Sequence, residues 1–235
     1  MKTPSDAIRW GTALAGSFIV SDLRGGTVGS WVVCGWFTDD PVYRPLAEQL
    51  AASLAAIGAP YDLACVPKSP GSWESNTLAK AGRALAALER HAGKTVIFMD
   101  VDYTATGDIS WLTEAPGDVA MQMVARRRKN GSARLAPSAQ VMVFKPNEAA
   151  RRFIEAWIDL GRQPQPGDTS EAFLTLACAV PEVSISCLDS ARVASVLQHS
   201  WASRRGPRRM SGFWREIANT LRSLASRRAL DVARG

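Results

Sequence analysis

Short apolar runs alternate with stretches in which apolar residues recur every three or four positions, the pattern of a chain that switches between strand and helix. Residues 31–37 are rich in aromatic and β-branched side chains and end in the turn cluster Thr38-Asp39-Asp40-Pro41, which predicts a strand. Leu46, Leu50, Leu54 and Ile57 share one helical face over 46–57, and Gly58 is placed to end that helix. A second strand is expected over 61–66, closed by Pro67, and a second helix over 77–91, ended by Gly93-Lys94. Residues 95–99 form a continuous apolar run of the kind a central parallel strand shows. Further strands are expected over 117–124, 140–144 and 183–188, and further helices over 148–160 and 169–179, with an exposed turn at 126–130 before Gly131. Strands and helices in alternation predict an α/β domain with a mostly parallel sheet.

Composition narrows the picture. The chain has 235 residues with 46% hydrophobic and 21% charged side chains, enough to bury a core. No apolar run approaches the roughly 20 residues of a membrane span, and Pro4 and Asp6 interrupt what would be a secretory leader. Cys34, Cys65, Cys178 and Cys187 form no CxxC pair, which argues against a structural zinc site or a redox motif and suits a cytoplasmic protein. The net charge of +6 is localised: from Trp201 onwards nine arginines face only Glu216 and Asp231, while residues 1–200 carry 19 basic and 20 acidic side chains. A nearly neutral body with a basic tail does not suit a nucleic-acid-binding domain, which spreads its basic surface over the fold. Within the tail, residues 211–226 predict an amphipathic helix with Phe213, Trp214, Ile217, Leu221 and Leu224 on one face and Arg215 and Arg222 on the other. Such a helix suits an anionic membrane surface, so a peripheral membrane location is expected alongside the cytoplasmic one. The same pattern suits a helix packed on the body with its arginines in solvent.

The chemistry concentrates at 95–103, Thr-Val-Ile-Phe-Met-Asp-Val-Asp-Tyr. In extended backbone Asp100 and Asp102 point to one side, so both carboxylates can face one hard divalent cation. They stand where an apolar strand runs out, and open α/β sheets bind ligands at the carboxyl ends of their strands. Mg²⁺ or Mn²⁺ held by carboxylates and completed by substrate phosphate oxygens is the expected arrangement. His199 is a candidate third ligand. Lys80 and Arg83, one turn apart on a predicted helix, can reach phosphates, and Thr38 and Asp39 follow the first strand, where base and ribose contacts fall. Asp168 with Glu171 three residues on reads equally as a capping box. Residues 100–104 also fit the DxDxT pattern of haloacid-dehalogenase-type phosphatases, although that motif normally opens its domain and here two strand–helix units precede it.

In order and spacing, six segments resemble the bacterial nucleotide-sugar glycosyltransferases with a GT-A fold. They are WFTDDPVYRPLAEQLAASLAAIGAPYDL (36–63), WESNTLAKAGRAL (73–85), KTVIFMDVDYTATGDISWL (94–112), SAQVMVFKPN (138–147), GDTSEAFLTLA (167–177) and LQHSWASRR (197–205). The resemblance implies a GT-A-like domain over 31–203, preceded by a lead-in over 1–30 and followed by the tail over 204–235. It implies metal ligands Asp100, Asp102 and His199, and donor contacts from Thr38, Asp39, Lys80, Arg83, Asp100, Val101 and Ser138. Lys80 would assist departure of the diphosphate and Asp168 would be the base. The partners implied are a nucleotide-diphosphate sugar and a glycan, lipid-linked or small acceptor. The chain has Ser138-Ala139 where the family commonly has Ser-Gly, and Thr169 where it often has a second polar amide or acid. A catalytically silent sugar-nucleotide-binding scaffold is the alternative of a different class.

Overall fold

The computed structural model describes residues 22–26, 29–67, 77–127, 131–162, 170–180 and 182–200. Their strands are β1 (Leu23–Gly25), β2 (Trp31–Thr38), β3 (Tyr61–Val66), β4 (Thr95–Met99), β5 (Tyr103–Ala105), β6 (Val119–Arg127), β7 (Ala133–Phe144), β8 (Ile185–Cys187) and β9 (Leu197–His199). Their helices are α1 (Tyr43–Ala56), α2 (Lys80–Arg90), α3 (Glu148–Leu160), α4 (Ser170–Ala177) and α5 (Ser190–Val196), with a 3-10 turn at Ser110–Glu114. Seven strands form one sheet in the order β1-β3-β2-β4-β7-β6-β8. The pairs β3–β2, β2–β4 and β6–β8 are parallel, while β1 and β7 run against their neighbours. Five of the seven strands therefore point one way, as expected of a mostly parallel α/β sheet.

Alternation along the strands sorts the core into two layers. Val32, Cys34, Val96, Phe98, Met121, Met142 and Phe144 turn to the face covered by α2, α3 and α4, where Phe153, Ile154 and Trp157 are fully buried. On the other face α1 contacts β2 and β3 and buries Leu46, Leu50 and Leu54. Local chemistry sets the helix ends. Asp40 Oδ1 accepts from the backbone N–H of Val42 and of Tyr43, both at 2.9 Å, and Pro45 lies in the first turn of α1, where its missing N–H costs nothing. Gly58, with φ +69°, takes the left-handed conformation that closes α1. At the start of α3 the Asn147 side chain accepts from the Ala150 N–H at 2.9 Å.

Several boundaries move. The sheet takes in Leu23–Gly25, inside the stretch read as a lead-in. Strand β6 extends to Arg127 and β7 begins at Ala133, so Arg126 and Arg127 belong to a hairpin ladder rather than to the expected turn. The sequence hid the first half of β7 because Pro137 lies within it, and proline in a strand interior reads as a break. Here Pro137 sits next to an irregularity: Gln122 pairs with Ser138 but the adjacent Met121 pairs with Met142, so residues 139–141 bulge away from β6.

Strand β2 also meets β4 closely. A Cβ at Gly35 would lie 2.8 Å from the Met99 carbonyl oxygen and 3.3 Å from Leu63. Gly35→Ala should therefore push apart the two strands at the base of Asp100, costing about 1–3 kcal/mol. Thermal unfolding should show a fall in Tm on the order of 5 °C; an unchanged Tm would mean the strands separate freely here.

Candidate active site

Strand β4 ends at Met99, and the next residue, Asp100, donates its backbone N–H to the Gln140 carbonyl on the bulge of β7 at 2.9 Å. Asp100 Oδ1 receives the Lys80 ammonium at 2.6 Å, and Lys80 also donates to the Ala139 carbonyl at 3.2 Å. Lys80 is 12% exposed, so its charge needs these partners. Burial pushes the Asp100 carboxyl above the usual carboxylate range, against the pull of Lys80. The first residue of α2, the end of β4 and the bulge of β7 thus meet at one point.

Asp102, itself buried, lies two residues on, where the chain turns into β5. Strand β5 pairs antiparallel with β9, with Tyr103 opposite His199. This small ladder brings His199 Nε2 to 3.2 Å from Asp102 Oδ1. The Tyr103 and His199 rings meet edge to face with centroids 4.7 Å apart. Gln140 closes the group: its Nε2 lies 3.3 Å from His199 Nε2, and its Oε1 accepts from Ser138 Oγ at 3.3 Å and from the Tyr103 hydroxyl at 3.4 Å.

The fit of this group to a divalent cation can be tested on its geometry. Neighbouring ligands of an octahedral ion with bonds of about 2.1 Å stand about 3.0 Å apart. The Asp102 Oδ1 to His199 Nε2 separation of 3.2 Å is close to such an edge and is equally that of a direct histidine–carboxylate pair. Among the described residues no three His, Cys, Asp or Glu side chains form a ready-made cage, and Asp100 is turned to Lys80. Two of the three expected ligands are together, which suits an ion whose remaining positions are taken by substrate oxygens and water.

Thr38, Asp39 and Arg83 lie apart from this group, while Val101 and Ser138 belong to its surroundings. Thr38 donates to Asp40 Oδ2 at 2.7 Å, and Asp39 pairs with Arg44, whose guanidinium lies over the Phe37 ring; both residues are built into the turn before α1. Arg83 is one turn from Lys80 but lines a 40 Å³ cavity with Cys34, Trp36, Asp62 and Arg90. Burial, and then Arg90, lowers its pKa. Val101 is 4% exposed and its side chain lies against the Gly35 backbone, so its main chain is what it can offer a ligand. Ser138 is buried behind Gln140. Asp168 lies outside the described residues, as does the predicted tail helix. Sequence reasoning passed over Gln140 and Tyr103. The signals were there: a lone amide inside the apolar strand over 140–144, and a tyrosine directly after the aspartate pair.

Solved structures resemble the chain at low identity. One is the apo-form glycosyltransferase GlyE of Streptococcus pneumoniae TIGR4, with 13% identity over 72% of this chain and 54% of that one, at a TM-score of 0.49. Another is a glycosyltransferase involved in glycosylation of the major capsid of PBCV-1, with 9% identity over 73% of this chain and 94% of that one, also at 0.49. The chain thus spans about half the length of GlyE. No protein-family model and no curated protein sequence matches it. Among the described residues no helix is long and apolar enough to cross a membrane.

Proposed function

We propose that the chain is a metal-dependent glycosyltransferase that moves a hexose from a nucleotide-diphosphate donor to a glycan, lipid-linked or small acceptor. The observation that carries this reading is the meeting of Asp102 Oδ1 and His199 Nε2 at 3.2 Å beside the Lys80–Asp100 pair, at the carboxyl end of a central strand. In transfer, the bond from the anomeric carbon to the diphosphate oxygen breaks with its electron pair staying on the phosphate. The acceptor oxygen bonds to that carbon and gives up its proton. The chemistry that Mn²⁺ or Mg²⁺ would supply, held by Asp102 and His199 with Asp100 close by, is stabilisation of the negative charge that grows on the leaving diphosphate. Lys80 places a second positive charge within the same group, and its two acceptors hold it there. Ser138 and Val101 back this site, Thr38 and Asp39 would contact the donor from the end of β2, and Asp168 would take the acceptor proton; Arg83, facing the β2–β3 side, is left out of the donor contacts. The nine arginines after Trp201 support contact with an anionic membrane surface, where a lipid-linked acceptor would be presented. A cytoplasmic location, peripheral on the inner face of the membrane, is part of this proposal.

A panel of sugar nucleotides incubated with Mn²⁺ and no acceptor tests the reading. Slow release of nucleoside diphosphate from one of them, abolished by EDTA, is expected. Cleavage of simple phosphomonoesters instead would identify a DxDxT phosphatase, and metal-independent binding without release a silent scaffold.

A further inference from the structure

The charges beside α2 do not balance. Where this helix meets β2 and β3, the guanidiniums of Arg24, Arg83 and Arg90 gather around the carboxylates of Asp22 and Asp62. Every carboxylate oxygen there is engaged. Asp62 Oδ1 accepts from Arg24 at 3.0 Å, and its Oδ2 from Arg90 at 3.1 Å, with His91 Nε2 at 2.8 Å. Asp22 Oδ2 has Arg24 at 2.6 Å and Arg90 at 3.8 Å, and its Oδ1 accepts from the Cys65 N–H at 3.1 Å. That leaves Arg83, which is partly buried and whose guanidinium has no acceptor among the described residues. Burial, and then the like charge of Arg90, lowers its pKa. An arginine cannot relieve that cost by giving up its proton, so the charge persists and calls for a counter-ion.

Room for one lies beside it. Arg83 and Arg90 stand two turns apart on one face of α2 and line the 40 Å³ cavity against β2 and β3. The space exists because the helix turns only Ala86 and Ala87 to it between the two arginines, and the strands add Gly35 and Ala64. It exceeds the about 10–15 Å³ that one water needs. Cys34 also lines it, but burial pushes that thiol up, so it is neutral and balances no charge. Arg90 meets its two carboxylates through Nη1, which leaves its Nε and Nη2 for another acceptor. We propose that this cavity is a binding site for a small free oxyanion of the phosphate class, held between the guanidiniums of Arg83 and Arg90. Planar guanidinium forks suit the paired oxygens of such an ion. The anion supplies the charge that Asp22 and Asp62 do not, and it ties α2 to β3. The site is separate from the proposed donor site, since Lys80 turns to Asp100 at the end of β4.

Calorimetry and thermal unfolding with inorganic phosphate test the site on the metal-free full chain, with ionic strength held constant by chloride. Wild-type protein should bind phosphate saturably, and its Tm should rise on the order of 5 °C at saturation. Arg83→Met keeps the length of the side chain and removes the charge, so affinity should fall about tenfold or more. Without phosphate the same variant should unfold at no lower temperature than the wild type, because an unpaired charge has left a partly buried place. Lys80→Met should bind phosphate as tightly as the wild type. Loss of binding in Lys80→Met with none in Arg83→Met would move the anion to the proposed donor site and overturn the inference. Equal affinity in wild type and Arg83→Met would overturn it as well. A wild type that shows no saturable binding would do so without any variant needing to fold.

Discussion

Asp102→Asn should abolish metal-dependent turnover, lowering kcat about 10²- to 10³-fold while leaving the fold in place. The substitution conserves shape at a residue 8% exposed, so packing changes little and electrostatics change most. One full negative charge is lost from the carboxylate that faces His199 Nε2 at 3.2 Å. The charge it would help to stabilise grows as the donor bond breaks, so the loss belongs to the transition state more than to substrate binding and should appear in kcat. Protein stability should move the other way, if at all. Asp100 and Asp102 repel each other, and Asp100 has Lys80 to balance it, so a neutral neighbour relieves strain in the metal-free chain. Steady-state rates with Mn²⁺, set beside thermal unfolding without metal, check both halves. Turnover within a few fold of wild type would remove Asp102 from the reaction.

Much of this architecture was legible in the sequence because long, regular patterns report on burial. The predicted strands over 61–66 and 95–99 and the helix over 148–160 coincide with β3, β4 and α3. Each has a face or run that only one period explains. What the pattern missed was short. Strands β1, β5, β8 and β9 have three residues each, too few for alternation to show, and β5 is held between β9 and α1, whose Ser53 hydroxyl accepts from the Ala105 N–H. That matters for the site, since the β5–β9 ladder is what carries His199 to Asp102. The aspartate pair and His199 could be named from residue type and order, but their contact is 97 residues apart in sequence and is a property of topology. Arg83 shows the converse limit. Helical spacing put it beside Lys80, yet a three-residue step turns the side chain round the helix axis, and Arg83 faces the β2–β3 side while Lys80 faces the end of β4.

The largest expected loss of stability comes from the opposite end of the strands, at Asp62→Asn. Asp62 is the second residue of β3 and 4% exposed. Its Oδ1 accepts from Arg24 Nε on β1 at 3.0 Å, and its Oδ2 from Arg90 on α2 at 3.1 Å, with His91 Nε2 at 2.8 Å. One carboxylate thus ties an edge strand and the end of a helix to the sheet. Removing one member of a buried ion pair costs about 3–5 kcal/mol, because the partners keep their charge and lose their counter-ion. Here Arg24 is 57% exposed and keeps Asp22 at 2.6 Å, and Arg90 is 31% exposed with Asp22 at 3.8 Å, so water and that second carboxylate recover part of the cost, and about 2–3 kcal/mol is expected. The pH dependence has a definite sign. Burial alone would raise the Asp62 pKa, but the His91 and Arg90 hydrogen bonds and the charges of Arg90 and Arg24 outweigh it and hold the carboxyl below the usual range. A carboxyl whose folded pKa is depressed stabilises fully above its unfolded value of about 3.9 and loses that contribution as pH falls through the folded value. Urea unfolding should therefore separate Asp62→Asn from wild type by the full amount at about pH 7, and by progressively less below about pH 4. A gap that stays constant down to about pH 2.5 would mean the carboxylate's charge contributes nothing and shape alone holds the edge of the sheet.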